Sequence, residues 1–206
     1  MNLDERLLKP YNPATTEDRI YREWLAKRAF EPQGEGEAFS MVMPPPNVTG
    51  VLHLGHAAMI AIEDIMVRYA RMQGKRTLWL PGTDHAAIAT QTKVEEMIYK
   101  AEGKTRHDLG REEFLKRVTA FATESHDKIV EQIKKLGAST DWTREAYTLD
   151  ERRARAVREA FVRMYEAGLI YRGERIVNWD PRLQTTVSDD ELEMKEVTEP
   201  FYYLKS

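Results

Sequence analysis

The chain has 206 residues, of which 42% are hydrophobic and 32% are charged, and its formal net charge is −3 at pH 7. These values are typical of a soluble globular protein with one sizeable core, and the small negative charge excludes a globally basic surface for nucleic acid. The absence of cysteine excludes a disulfide framework and fits a reducing compartment, and no apolar run approaches the ~20 residues of a membrane span.

The first thirty residues predict a helix and carry no export pattern. Residues 1–6 lack the sequence of a signal peptide, so we expect a cytoplasmic protein with no membrane partner. Residues 11–30 predict the first helix, because Asn12 and Pro13 are suited to its cap and first turn.

A strand–helix–strand unit follows. The apolar run at residues 38–43 predicts a short buried strand, and residues 77–80 predict a second one. The helix between them begins near His53 and ends at Gly74. Apolar residues recur along it at helical spacing and are expected to form the buried stripe of an amphipathic helix: Ala58, Ile62, Ile65, Met66, Tyr69 and Met72.

This order predicts where a ligand would bind. A strand–helix–strand unit implies parallel strands, whose carboxyl ends lie at the same edge of the sheet. Ligands of such sheets bind in the crevice beyond that edge. The loops at residues 44–56 and 81–91 follow the two strands, so we expect them to meet there.

The loop at residues 44–56 has the composition of a phosphate site. Its prolines cannot continue a strand or a helix, and its glycines allow a ligand close to the backbone. His53 and His56 stand three apart at the start of a helix, so both rings can project from one face next to the positive end of the helix dipole. A surface or metal-binding role for the pair is the alternative, but no cysteine and no suitably spaced carboxylate accompanies it. We therefore predict polyphosphate binding and no metal site.

The rest of the chain predicts further helices and a strand-like tail. We expect helices at residues 86–101, at about 111–136, and from a cap at 149–151 to Gly168. Strand-like pieces follow at residues 175–179, 185–187 and 201–204. Four arginines form a basic face on the last helix, which we interpret as a solvated surface rather than an RNA contact: Arg152, Arg153, Arg155 and Arg158.

Two long motifs resemble one known family. The tetrapeptide His-Leu-Gly-His at residues 53–56 resembles the first signature of the class I aminoacyl-tRNA synthetases. The full string Pro-Pro-Pro-Asn-Val-Thr-Gly-Val-Leu-His-Leu-Gly-His at residues 44–56 is similar to the valine-specific branch of that family, as is Pro-Gly-Thr-Asp-His-Ala-Ala-Ile-Ala-Thr-Gln at residues 81–91. The resemblance continues at residues 103–106, 136–142 and 177–181, and so spans nearly the whole chain.

The resemblance implies an α/β fold with a particular division of the chain. We expect a Rossmann-like half-domain with parallel strands, plus a helical segment and a small β-rich C-terminal piece. Residues 1–136 would hold the N-terminal helix and the first half of the catalytic domain. Residues 137–206 would lead into an editing domain that the sequence does not contain.

The resemblance also implies a reaction. Valine-specific members are ligases of protein biosynthesis that activate valine with ATP, taken with Mg²⁺, to valyl-adenylate and transfer it to tRNA-Val. His53 and His56 would be the catalytic pair that contacts ATP, and Asn47, Thr49 and Gly55 would be further ATP contacts. No zinc is expected, because residues 179–184 have no cysteine where some relatives have a zinc knuckle.

The amino acid would be held by two residues. Asp84 would bind the valine ammonium group, since a carboxylate can form a charge-assisted bond with it. Pro45 would form a rigid apolar wall for the branched side chain. The alternative for Asp84 is a turn residue with no ligand, His85 can be assigned to neither role, and Trp79 is expected in the core.

The sequence also predicts limits on activity. The second class I signature, a lysine-bearing loop, does not occur in the 206 residues, so we expect an N-terminal fragment with impaired activity and exposed apolar surface that favours self-association. Two alternatives stay open: a non-catalytic remnant that binds ATP and valine, and a stand-alone nucleotidyltransferase.

Overall fold

The computed structural model describes residues 10–189 and 192–204. Residues 1–6 lie outside this part of the chain. The described elements, in chain order, are α1 (Pro13–Ala26), β1 (Ala38–Val42), α2 (Leu54–Met72), β2 (Arg76–Leu80), β3 (Gly82–Thr83), α3 (Ala87–Glu102), α4 (Arg106–Lys135), a 3₁₀ turn (Trp142–Arg144), β4 (Ala146–Tyr147), α5 (Glu151–Glu166), β5 (Trp179–Asp180) and β6 (Thr185–Thr186).

Strands β1 and β2 are parallel neighbours, joined by α2. The register pairs Ala38 with Arg76 and Val42 with Leu80, which confirms the predicted strand–helix–strand unit. Trp79 of β2 is completely buried, as predicted. It belongs to a core cluster in which Ile60 and Val67 of α2 meet Ile129 of α4. One face of the sheet thereby packs on a core shared with α2 and α4, and its carboxyl edge leads into the two motif loops.

Two glycines explain helix boundaries that the sequence predicts. Gly74 has a φ of 78°, in the left-handed region, and follows directly after the last turn of α2. Helix α4 is continuous from Arg106 except at Gly110, whose φ of 75° and ψ of 164° are not helical. The predicted start at about residue 111 therefore coincides with this break, and a separate capped turn precedes it.

The prediction for the buried face of α2 is wrong. Ile62, Ile65 and Tyr69 are more than 60% exposed, and the other predicted stripe residues are exposed as well. The face that packs on the sheet instead contains Ile60, Val67 and Ala70. Helix α2 is apolar on two faces, which is the pattern of a helix buried on both sides, so periodicity could not identify which face meets this core.

The exposed stripe of α2, formed by Ile62, Ile65, Met66, Tyr69 and Met72, should cause self-association. A contiguous apolar patch that is exposed to solvent favours contact with a second copy of the chain. We expect the apparent mass in sedimentation velocity to rise with concentration, and Ile65→Lys with Tyr69→Lys to shift the chain towards monomer. Leu115→Lys, at an exposed apolar position of α4, is the matched control. A wild-type chain that stays monomeric at every concentration would contradict this.

Contacts divide the chain into two compact units, one ending at Arg158 and the other beginning at Glu159. The predicted domain boundary between residues 136 and 137 stays a prediction. In the second unit, Trp179–Asp180 pairs in antiparallel orientation with Thr185–Thr186. The other predicted tail strands, at residues 175–178 and 201–204, are wrong. Residues with a high strand propensity form a strand only where a neighbouring strand pairs with them.

The segment after α4 runs beside β2 and β3. Asp141, Ala146 and Thr148 donate backbone N–H groups to the carbonyls of Trp79, Pro81 and Thr83, at 3.0, 3.1 and 3.2 Å respectively. β3 and β4 pair in parallel through this contact. As a result, Thr148 lies next to the loop that follows β3.

A polar network fixes the start of that segment against α2. Ser139 is buried, and both its backbone N–H and its hydroxyl donate to Asp64, at 3.0 and 2.5 Å. Arg71 donates to the hydroxyl and the carbonyl of Ser139, at 2.6 and 2.8 Å. Because buried polar groups are costly when unpaired, this satisfied network holds the segment in one position.

Within the described part of the chain, no helix combines the length and the apolarity that crossing a membrane requires.

Candidate functional site

The two motif loops are hydrogen-bonded side by side. The Val48 N–H donates to the Asp84 carbonyl at 2.9 Å, and the Asp84 N–H donates to the Pro46 carbonyl at 2.8 Å. Asn47 and Asp84 thus form a parallel bridge that extends the β1–β2 pairing beyond the end of the sheet. The loops therefore meet at the sheet edge, as the strand order predicts.

A cavity of about 520 Å³ lies in the first loop and the start of α2. Five of the predicted site residues are among those that line it: Pro45, Asn47, Thr49, His53 and His56. Gly55 and Asp84 are not among the lining residues. The space above Gly55 is occupied by the His53 ring, since a Cβ at this position would lie 2.9 Å from His53 Cε1.

The two histidines cap the helix with their own side chains. His53 is the N-cap of α2, and its Nδ1 accepts the Gly55 N–H at 3.1 Å. His56 Nδ1 accepts the His53 N–H at 3.3 Å, which completes a reciprocal capping box. The backbone N–H groups of His53 and Gly55, at the start of α2, are therefore used by imidazoles.

This capping determines the tautomer of both rings. A nitrogen that accepts an N–H cannot carry a proton, so the neutral form of each ring holds its proton on Nε2. The ring centroids are 4.0 Å apart. Burial and the charge of His53 lower the pKa of His56, so its neutral form is favoured near pH 7. The pair thus offers Nε2–H donors rather than two cations, and such donors suit phosphate oxygens.

Gln132 positions the loop before the histidines, and sequence analysis did not identify it. Its side-chain oxygen accepts the Leu52 N–H at 2.9 Å. Gln132 lies on α4, so the first loop is held by a helix 80 residues further along the chain. No motif signals this contact, because a glutamine on a helix most often faces solvent.

Asp84 lies in a small hydrogen-bonded cluster with Thr148 and His85. Its Oδ1 accepts the Ala86 N–H and the Thr148 hydroxyl, each at 3.0 Å. The first of these bonds is an Asx turn, so the turn role that the sequence left open is present. Among the described residues, all hydrogen bonds to this carboxylate reach Oδ1. The side chain is 36% exposed, and Oδ2 is the oxygen that these bonds do not use.

The backbone after this cluster is strained. Ala86 has a φ of 50° and a ψ of 24°, and Ala87 has a φ of 23°. The left-handed region is unfavourable for alanine, and such strain is concentrated at functional sites. The turn starts α3 immediately after His85, and the Thr90 hydroxyl donates to the His85 carbonyl at 2.7 Å.

The described residues contain no group of three histidine, aspartate or glutamate side chains placed to hold a metal ion.

Comparisons with known proteins identify the family of the chain. A family model described as tRNA synthetases class I (I, L, M and V) matches residues 19–204. A valine–tRNA ligase of Thermotoga maritima is 54% identical over 195 residues, which is 95% of this chain. Those of Treponema denticola and Prochlorococcus marinus are 51% and 53% identical over 96% and 98% of it. The chain spans 22% of the length of each relative.

A solved structure has the same fold. It is the LeuRS of Agrobacterium radiobacter in a ternary complex with tRNA and LeuAMS. The match covers 88% of this chain and 22% of the LeuRS chain, with a TM-score of 0.73 and a sequence identity of 22%. This likeness, with the parallel strands and the abundant helices, confirms the predicted α/β, Rossmann-like class. Because the family model covers most of the sequence, the chain belongs to the class I tRNA synthetases of the I, L, M and V group.

Proposed function

We propose that the chain carries the ATP-binding and valine-binding part of a valine–tRNA ligase. The observation that carries the proposal is the pairing of the two motif loops through Val48 and Asp84. It puts the histidine pair and the Asp84 carboxylate on neighbouring loops at one sheet edge. The identity of 51–54% with valine–tRNA ligases supports valine as the amino acid.

The reaction would join the two substrates directly. The valine carboxylate attacks the α-phosphate of ATP, pyrophosphate leaves, and valyl-adenylate remains for transfer to tRNA-Val. Such a reaction depends on positioning and on stabilising charge on phosphate oxygens. In this proposal, His53 and His56 donate from Nε2 to those oxygens, while Asn47 and Thr49 contact the nucleotide from the same cavity. Gly55 supports the His53 ring, and ATP enters as its magnesium complex.

The amino acid would be recognised at its two ends. The ammonium group pairs with Asp84, whose exposed carboxylate lies at the end of the second loop. The branched side chain packs against Pro45, which presents an apolar ring of fixed backbone geometry. This division leaves the valine carboxylate between the two loops, towards the histidine pair.

The remaining partners follow from the same family. The tRNA acceptor would be tRNA-Val, and the compartment would be the cytoplasm, where the other components of protein synthesis are found. These assignments rest on the names of the relatives and on the tRNA complex of the LeuRS neighbour.

Substrate binding and valine-dependent pyrophosphate exchange test the proposal. We expect ATP and valine each to bind the chain with 1:1 stoichiometry in calorimetry. Exchange should be much slower than in a full-length valine–tRNA ligase, because the lysine-bearing signature that stabilises the transition state is not in the 206 residues. Binding of ATP with no binding of valine would contradict the valine assignment, and full exchange activity would contradict the need for the second signature.

A further inference from the structure

The Thr148 hydroxyl makes three contacts that join β4 to the loop after β3. It accepts the His85 backbone N–H at 2.9 Å and donates to Asp84 Oδ1 at 3.0 Å. Its oxygen also lies 2.5 Å from His85 Nδ1. The Thr148 backbone N–H is bonded to the Thr83 carbonyl at 3.2 Å, so the hydroxyl is held at this place by the pairing of β3 with β4.

The protons in these contacts can be assigned by elimination. A hydroxyl has one proton and two lone pairs, and the His85 N–H already uses one of the lone pairs. An ionised carboxylate only accepts, so the hydroxyl proton must go to Asp84. The short contact with His85 Nδ1 then needs a proton on that nitrogen. In its neutral form, His85 therefore has Nδ1–H and a free lone pair on Nε2, the tautomer opposite to that of His53 and His56.

We propose that Thr148 is a positioning residue for amino-acid recognition: it fixes the Asp84 carboxylate through Oδ1 and holds His85 as its Nδ1–H tautomer. The inference rests on the proposed function and goes further, because it gives the two ends of the site opposite hydrogen-bonding character. Near the ammonium group the cluster offers acceptors, Asp84 Oδ2 and His85 Nε2. The phosphate end offers donors, the Nε2–H groups of His53 and His56.

The surroundings of the cluster support this role. The Tyr147 ring meets His85 edge-on, with centroids 6.3 Å apart, and limits the positions open to the imidazole. Burial first, and then the negative charge of Asp84, raise the pKa of Tyr147. Both side chains of the Asp84–His85 pair remain about one-third exposed, as a binding surface requires.

The tautomers can be read directly from long-range ¹H–¹⁵N spectra of the labelled wild-type chain above the pKa of its histidines. We expect Nδ1–H for His85 and Nε2–H for His53 and His56. The assignment for His85 needs no variant, and Nε2–H at this residue in the wild-type chain would overturn the proposal whether or not valine binds.

Two substitutions test the positioning role. Thr148→Val removes the hydroxyl at nearly constant volume, and Thr148→Ser keeps it. We expect Thr148→Val to weaken valine binding about tenfold or more, which corresponds to ~1.4 kcal/mol or more of binding free energy. The substitution should also change the His85 tautomer population. The affinity for ATP should stay within about twofold of the wild-type value. Thr148→Ser should retain both the tautomer and the valine affinity.

The failures of the two proposals differ. A Thr148→Val chain with the wild-type tautomer and valine affinity overturns the role of Thr148 while the proposed function stands. A wild-type chain that binds no valine overturns the proposed function, and the His85 spectrum still decides whether Thr148 sets the tautomer.

Discussion

Replacing His53 by asparagine and His56 by glutamine together is expected to weaken ATP binding by at least about 100-fold while the chain stays folded. Each hydrogen bond to a charged group contributes ~1.5–3 kcal/mol, so two lost donors account for an effect of this size. The choice of residues follows from the capping box. Asparagine is a good N-cap and glutamine is suited to the third helical position, so both capping bonds can be kept without the imidazoles.

The alanine pair provides the comparison for this experiment. His53→Ala with His56→Ala removes the donors and the caps, and a lost cap costs ~0.5–2 kcal/mol of stability. We expect both pairs to lose ATP affinity equally, and only the alanine pair to unfold at a clearly lower temperature. Wild-type ATP affinity in the Asn/Gln pair would show that the imidazoles serve the helix alone, as in a non-catalytic remnant.

Replacing Asp84 by asparagine is expected to weaken valine binding by roughly 10- to 100-fold, because the bond to the ammonium group loses its charge assistance. Asparagine keeps an oxygen at the position of Oδ1, so the bonds from Ala86 and Thr148 can persist. ATP affinity should stay within about twofold, since Asp84 does not line the cavity beside His53 and His56 in which we propose that ATP binds. Calorimetric titration of the Asp84→Asn variant and of the wild-type chain with each substrate measures these changes.

A ligand that lacks the amino group is the control for Asp84. 3-Methylbutanoate has the branched chain and the carboxylate of valine without the ammonium. If Asp84 pairs with the ammonium, Asp84→Asn should leave the weak affinity for 3-methylbutanoate unchanged, which isolates the pair as a double-mutant cycle does. Equal losses for valine and 3-methylbutanoate would show that Asp84 acts only through the structure of its loop.

Local patterns in the sequence predicted the framework of the site well. The run at residues 38–43, the His53–Gly74 segment and the strand at 77–80 are each defined by their own apolar and breaker residues, and the observed elements confirm them. Parallel pairing then follows from the order of the elements. The meeting of the two loops is a consequence of that order, so it could be predicted without any knowledge of long-range contacts.

Contacts between distant segments could not be predicted in this way. Thr148 and Gln132 reach their partners across 64 and 80 residues, and neither residue stands in a pattern that marks it. The buried face of α2 was assigned wrongly because Ile60 and Val67 form a second apolar face beside the stripe of Ile62 and Ile65. The face of a helix that is buried depends on which other elements pack against it. The sequence of the helix alone does not specify those elements.

The histidines cap α2, and in the proposed function the same two residues also contact ATP. Sequence analysis placed both rings on one side of the helix start, and the structure adds that their Nδ1 atoms accept backbone N–H groups. The same bonds that begin α2 therefore orient the Nε2–H donors. If the proposed function holds, a substitution at either position affects both helix capping and ATP binding, unless its replacement also caps the helix.

In the proposed function, the two motif loops form one site for ATP and valine together. Titration of the ¹⁵N-labelled chain with a hydrolysis-resistant valyl-adenylate analogue tests it most directly, because one molecule would reach both ends. We predict 1:1 saturation in which the signals of His53 and His56 and those of Asp84 and His85 shift with the same dissociation constant. Shifts confined to one loop, or different dissociation constants for the two loops, would contradict a common site.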